Sequence, residues 1–151
     1  MKLIEIESIR FQVLAAADTR ECGRDSCEVI DFLLDQERHL AKSAKGFKSL
    51  FVRYSMHGRQ GLTTHLFHEV DNENKIWELI KGSLRIFCFI DNDGRAVILT
   101  HGGLKRSKKV SKKDVNKAVR IKKEYIAAKA AGTLEISRKE YREHRTFLSV
   151  V

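Results

Sequence analysis

The 151-residue sequence predicts a single α+β domain, an antiparallel sheet meander packed against an N-terminal helical hairpin and followed by a basic helix. Three observations carry that prediction. Apolar residues recur at helical spacing between about 28 and 54, change to strand-like alternation and apolar runs between 64 and 101, and return to helical spacing after 112. A hydrophobic content of 42% is enough for one core and too high for a disordered chain, while no apolar run approaches the roughly 20 residues of a membrane span. The complete absence of proline excludes collagen-like, polyproline and proline-rich linker architectures.

Taken in order, residues 3–17 are rich in Ile, Phe, Val and Leu and read as an opening strand. Acids interrupt the apolar residues at the start, so no secretory signal is read and a cytoplasmic location is expected. Residues 18–26 form a polar loop in which Asp25 or Ser26 can cap a helix carrying Val29, Ile30, Leu33 and Leu34. A second helical stripe of Leu40, Ala44, Phe47, Phe51 and Tyr54 follows, and two glycines, Gly58 and Gly61, end it. The strands then run from Thr64 to Val70, Ile76 to Ile80, Leu84 to Ile90 and Ala96 to His101, separated by turn-forming residues. The third of these is the most apolar, as a strand covered on both faces should be, and Arg85 is its one charge. Ser111 and Asp114 form a capping box for a helix from about Lys112 to Ala130, with Val115, Ala118, Val119, Lys122, Tyr125 and Ile126 inward and Gly132 as its stop. Residues 1–130 are therefore read as the domain and 131–151 as a C-terminal extension of unassigned role.

Cysteine usage is sparse. Cys22, Cys27 and Cys88 are odd in number and lack a C-x-x-C spacing, which argues against a disulfide framework and a structural metal site. Cys88 lies in the apolar strand and reads as a buried, inert thiol. No metal or other cofactor is expected.

The charge is concentrated. Between His101 and Tyr125 there are ten Lys/Arg against two acids, a local +8 out of a net +9. So one-sided a block stores self-repulsion that a polyanion relieves, which makes nucleic acid the leading partner class. A solubilising face or a docking surface for an acidic protein is the alternative. Membrane-surface binding is disfavoured, because this helix has no Trp/Phe/Leu face to insert into lipid.

The segments Ile76-Trp77-Glu78-Leu79, Leu84-Arg85-Ile86-Phe87-Cys88-Phe89 and His101-Gly102-Gly103-Leu104-Lys105-Arg106-Ser107-Lys108-Lys109 occur in an order that resembles the RelE/ParE toxin superfamily of bacterial type II toxin–antitoxin systems. Within it, the sequence is similar to the phage-derived HigB-like branch, over roughly residues 25 to 128. Three positions depart from that branch: Leu104 follows a second glycine where phenylalanine is usual, Cys88 replaces an aromatic, and Val110-Ser111 replaces Thr-Pro. The resemblance implies a RelE-like fold and a small metal-independent mRNA endoribonuclease, ribosome-dependent or free, that inhibits translation and is neutralised by a cognate antitoxin, commonly a helix-turn-helix protein. A ParE-like DNA gyrase inhibitor and a non-catalytic basic nucleic-acid-binding module remain as alternatives.

Metal-free RNA cleavage needs a base at the 2′-hydroxyl, cationic donors at the phosphate and an acid for the leaving oxygen. A three-residue Asn92-Asp93-Gly94 hairpin loop would set Arg85 opposite His101, whereas a two-residue loop would shift the register by one. Arg85 is the candidate for holding the phosphate, with an ion pair to Glu78 as its structural alternative. His101 is the candidate acid or base, with a structural role at the strand end equally open. Lys105, Arg106, Lys108, Lys109, Lys112 and Lys113 are the candidate RNA-backbone contacts. Tyr125 reads as core. His57, His65 and His68 take no assignment.

Overall fold

The computed structural model describes residues 1–18, 26–105 and 109–138. Cys22, Asp25, Arg106, Lys108 and residues 139–151 lie outside the described residues. The chain forms β1 (Lys2–Ser8), β2 (Gln12–Asp18), β3 (Ser26–Cys27), α1 (Glu28–Leu34), α2 (Ala41–His57), β4 (Phe67–Asp71), β5 (Ile76–Lys81), β6 (Leu84–Ile90), β7 (Ala96–Leu104), α3 (Lys112–Ala131) and β8 (Glu135–Ser137). The α+β class and the β4–β7 antiparallel meander match the sequence reading.

The sheet as a whole is mixed, where an antiparallel one was expected. Its order is β4-β5-β6-β7-β2-β1-β8, with β3 added to β2. The opening segment is two strands, an antiparallel β1–β2 hairpin, and β2 lies parallel to β7. The turn between them has no Gly, Pro or Asn to mark it. It is held from outside, by the backbone N–H groups of Arg10 and Phe11 donating to the Ser55 carbonyl at the end of α2, at 2.8 and 2.9 Å. At the other edge β8, drawn from the segment after 131, pairs in parallel with β1.

Helices cover both faces. Val29, Ile30 and Leu33 of α1 and Ala44, Phe47, Leu50, Phe51 and Tyr54 of α2 pack on Ile4, Val13, Ile86, Cys88, Val97 and Leu99. On the opposite face Ala118, Ile121 and Tyr125 of α3 pack on Leu3, Leu14, Phe87, Phe89, Ala96 and Ile98. Adjacent strand residues thus belong to different cores, the period-2 geometry of a pleated strand. It accounts for the near-continuous apolar character of β6. Cys88, fully buried on the α1/α2 side, has its thiol pushed well above the ordinary range, first by burial and then by the Glu78 carboxylate.

Two helix details depart from expectation. Cys27 occupies the N-cap of α1 and gives it no side-chain cap. In α3 the inward stripe includes Ile121 and leaves Ile126 half exposed, because the helix presents residues 118, 121, 125 and 128 to the sheet. Its ends match: the Ser111 hydroxyl accepts the Asp114 N–H at 3.1 Å, and Gly132 stops the helix in the left-handed region at φ 71°.

The paired glycines at the end of β7 do two different things. A Cβ on Gly102 would lie 2.2 Å from the Phe32 ring, so its absence lets α1 seat on the strand; Gly103 faces the other way, toward the stem of Arg85. Gly102→Ala is expected to cost about 1–3 kcal/mol by overpacking. Gly94→Ala, at φ 73° with open space around it, should cost about 1 kcal/mol from backbone strain alone. Urea-unfolding midpoints rank the two.

Candidate nucleic-acid interface and its buried charge network

The α3-side face of the sheet carries a polar row above its apolar core. Register places His68 beside Glu78, Glu78 beside Phe87, and Phe87 beside His101, one residue from each strand of the meander. The last pairing corrects the expected one: Arg85 lies opposite Gly103, not His101. Two features cause the change. The β6–β7 loop is four residues long, closed by Asp91 N–H donating to the Ala96 carbonyl at 2.9 Å, and the ladder shifts between Phe87 and Cys88, leaving Thr100 as an extra residue in β7. The bulge returns the His101 ring to the face that Arg85 shares, but with Phe87 between them. The ring stacks on Phe87 at 4.8 Å and 25°, while the Arg85 guanidinium lies 5.9 Å from the same ring centroid.

Arg85 and Glu78 are 4% and 3% exposed, so their charges are almost entirely desolvated. Arg85 Nε stands 3.5 Å from Glu78 Oε2, an ion-pair separation longer than a strong hydrogen bond. The other carboxylate oxygen, Oε1, is 2.8 Å from His68 Nε2, and His68 Nδ1 is 3.0 Å from the Thr64 carbonyl. A carbonyl only accepts, so Nδ1 donates there. Glu78 thus binds the edge strand β4 through His68 and the central strand β6 through Arg85. His68 was missed by sequence reasoning. Its signal was available in the β4–β5 hairpin, where residues 68 and 78 fall opposite one another across the Asp71–Lys75 turn.

His101 is 2% exposed and both ring nitrogens are engaged. Nε2 is 3.2 Å from Asp114 Oδ1 and Nδ1 is 3.0 Å from the Thr100 hydroxyl, which also reaches the Phe87 carbonyl at 3.1 Å. The carboxylate only accepts, so Nε2 donates there, and the single Thr100 hydroxyl proton serves either the Phe87 carbonyl or Nδ1, not both at once. Burial, helped by the Lys117 ammonium, holds the His101 pKa below its ordinary value, against the opposing pull of Asp114 and Glu28. The result is a link from β7 to the first turn of α3, with Asp114 also accepting from the Ser111 hydroxyl at 2.9 Å. Tyr125 stacks edge-on against Phe89 inside the core, and burial raises its hydroxyl pKa, as a structural tyrosine requires.

The candidate RNA contacts surround this network on the outside. Lys109, Lys112 and Lys113 are exposed at the start of α3, and Lys105 is half-buried where its N–H donates to the Ser83 carbonyl. Farther along α3 several cations already have partners: Lys117 with Glu28, Lys129 with Asp91, and Lys122 Nζ with the Asn74 carbonyl. Lys112, Lys113, Arg120 and Lys123 are exposed and make no ion pair among the described residues. A groove of about 640 Å³ runs between the start of α3 and the β4–β5 hairpin, with Lys109, Lys112 and Asn116 on one wall and Glu69, Asp71, Glu73 and Asn74 on the other. Among the described residues no group of three His, Cys, Asp or Glu is placed to hold a metal ion, and no helix is long and apolar enough to cross a membrane.

Residues 40–123, from the end of the α1–α2 connection through most of α3, match the family model described as phage derived protein Gp49-like (DUF891). The chain belongs to the Gp49-like family. This family falls in the RelE-like group of toxins of type II toxin–antitoxin systems. The matched span holds Arg85, His101 and the basic segment as far as Lys123, and leaves out β1, β2, β3, α1 and β8. No curated protein matches the chain.

Two outcomes follow for this network. Arg85→Ala leaves a buried carboxylate without its cation and should cost about 3–5 kcal/mol in urea unfolding, whereas Arg85→Met combined with Glu78→Gln should recover much of it. For His101, the unfolded chain takes up a proton near pH 6.5 and the folded chain only at lower pH. Between those values the unfolded state binds more protons, so stability is complete above about pH 6.5 and falls as the pH drops through the folded value. His101→Gln should flatten that part of the stability–pH curve.

Proposed function

We propose that this Gp49-like protein is the toxin of a type II toxin–antitoxin system, of the HigB-like branch, and that it cleaves mRNA without a metal. The observation that carries this reading is the exposed cationic surface at the start of α3, where Lys112 and Lys113 make no ion pair among the described residues, on a chain of toxin-group membership. In-line cleavage drives the 2′-oxygen onto the adjacent phosphorus and expels the 5′-oxygen, which takes its proton from solvent water. Lys112 and Lys113, with Lys105 and Lys109 nearby in sequence, supply charge for the phosphate and its transition state. Asp114, in the same turn, is 39% exposed at its side chain and backed by the buried His101, a suitable acceptor for the 2′-hydroxyl proton. In this reading Arg85 and His101 are positioning residues. Arg85 holds Glu78 and the meander together, and His101 anchors Asp114, and with it the first turn of α3, to β7. A cognate antitoxin, which a helix-turn-helix protein would suit, then neutralises the toxin by covering this surface.

Induced expression should arrest growth and fragment mRNA. Lys112→Gln with Lys113→Gln should weaken RNA binding and reduce its salt dependence by about 1.4 in log–log slope for a single strand. Asp114→Asn keeps an oxygen for the cap and should lower cleavage about 100-fold or more with little loss of binding, the scale of a lost general base. Growth arrest with transcripts intact would overturn the cleavage reading, and poisoning of DNA gyrase under those conditions would favour the ParE-like one.

A further inference from the structure

A second basic site lies at the other end of the sheet. The β1–β2 turn, the segment after α2 and the β6–β7 loop enclose a pocket of about 630 Å³ lined by Arg10, Phe11, His57, Arg59, Gln60 and three glycines. It has no acidic lining residue. Arg10, His57 and Arg59 are exposed, and among the described residues none of them makes an ion pair. This contrasts with α3, where Lys117 and Lys129 are already neutralised.

The pocket is also rigid. Arg10 and Phe11 are tied through their backbone to Ser55. Gly58 holds φ 68° with the Phe11 ring where a Cβ would lie 3.0 Å away, and a Cβ on Gly61 would meet the Arg53 carbonyl at 2.8 Å. The Arg59 guanidinium sits over the Trp77 ring, 5.4 Å from its centroid, which fixes the cation while leaving its N–H edge for a ligand. Trp77 is itself held by Phe67 at 4.8 Å. A backbone tied at these points, one guanidinium stacked on Trp77 and no counter-charge in the lining suit an oxyanion.

We infer that Arg10, His57 and Arg59 form a second RNA-phosphate site, by which the protein holds a structured RNA while the α3 surface holds the strand to be cut. That the polyanion is RNA rests on the toxin reading. The two sites lie on opposite faces of the sheet, since α2 and α3 cover opposite sides: Trp77, beneath Arg59, packs on the α1/α2 side, while the next residue, Glu78, lines the α3 groove. The sheet thus stands between an RNA segment in the groove and one in the pocket.

The test uses the full chain and three probes: a short single-stranded RNA, a stable RNA hairpin and purified small ribosomal subunits. Arg10→Gln with Arg59→Gln should weaken hairpin and subunit binding about tenfold or more and reduce the hairpin salt slope by about 1.8. Binding of the short strand should stay within about twofold, while Lys112→Gln with Lys113→Gln should give the opposite pattern. Arg10→Lys with Arg59→Lys keeps the charges and should retain most hairpin affinity, which separates a binding effect from a folding one. Loss with the hairpin as well as the subunit marks structured RNA in general, and loss with the subunit alone marks ribosomal RNA. Unchanged affinity and slope for both would overturn the inference, as would a loss confined to antitoxin binding. If the protein cleaves no RNA, the cleavage reading fails while the hairpin measurements still decide this site.

Discussion

Burial of the sheet on both faces is the constraint on which the rest of the structure depends. With α1 and α2 on one side and α3 on the other, β6 has no face left for water. Any polar side chain on it must find its partner inside the protein. Arg85 does so through Glu78, and Glu78 in turn takes His68, so one desolvated carboxylate ties an edge strand to a central one. Such a network contributes little net stability compared with apolar packing of the same volume, but each of its members becomes costly to remove alone. It fixes which strands meet, and so where the basic segment leaves the sheet.

That exit point is set by a single extra residue. Thr100 interrupts the β6–β7 ladder, and the strand beyond it presents His101 to α3 and Gly102 to α1. Without the bulge the alternation would reverse, directing the imidazole toward the α1 side and a glycine toward Asp114. The charge pattern of the basic segment is thus a surface property, while its orientation comes from the interior.

Much of this was legible in the sequence because it is local. The meander, the Ser111 cap, the Gly132 stop and the buried Cys88 all follow from periodicity and from turn or cap chemistry within a few residues. The unreadable parts come from distant contacts. The β1–β2 turn is held by Ser55, far along the chain, and carries no turn residue of its own. The position of Arg85 relative to His101 depended on a loop length and a bulge that no residue type announces. Both alternatives left open for these two residues have structural counterparts, the Glu78 ion pair for one and the β7–α3 link for the other. The acid-free pocket at Arg10, His57 and Arg59 combines three segments remote in sequence, so charge counting along the chain passed over it.

The parallel pairing of β8 with β1 bears on how the molecule is made. β1 carries Leu3, Ile4 and Ile6 and is covered along its outer edge by residues 135–137, among the last of those described to be synthesised. A nascent chain therefore carries an open, apolar strand edge until residues 135–137 have been made, the kind of edge that recruits other strands. Pairing of β1 is postponed until those residues clear the exit tunnel. A partner able to shield that edge would act on the protein as a folding aid before it ever met the finished surface.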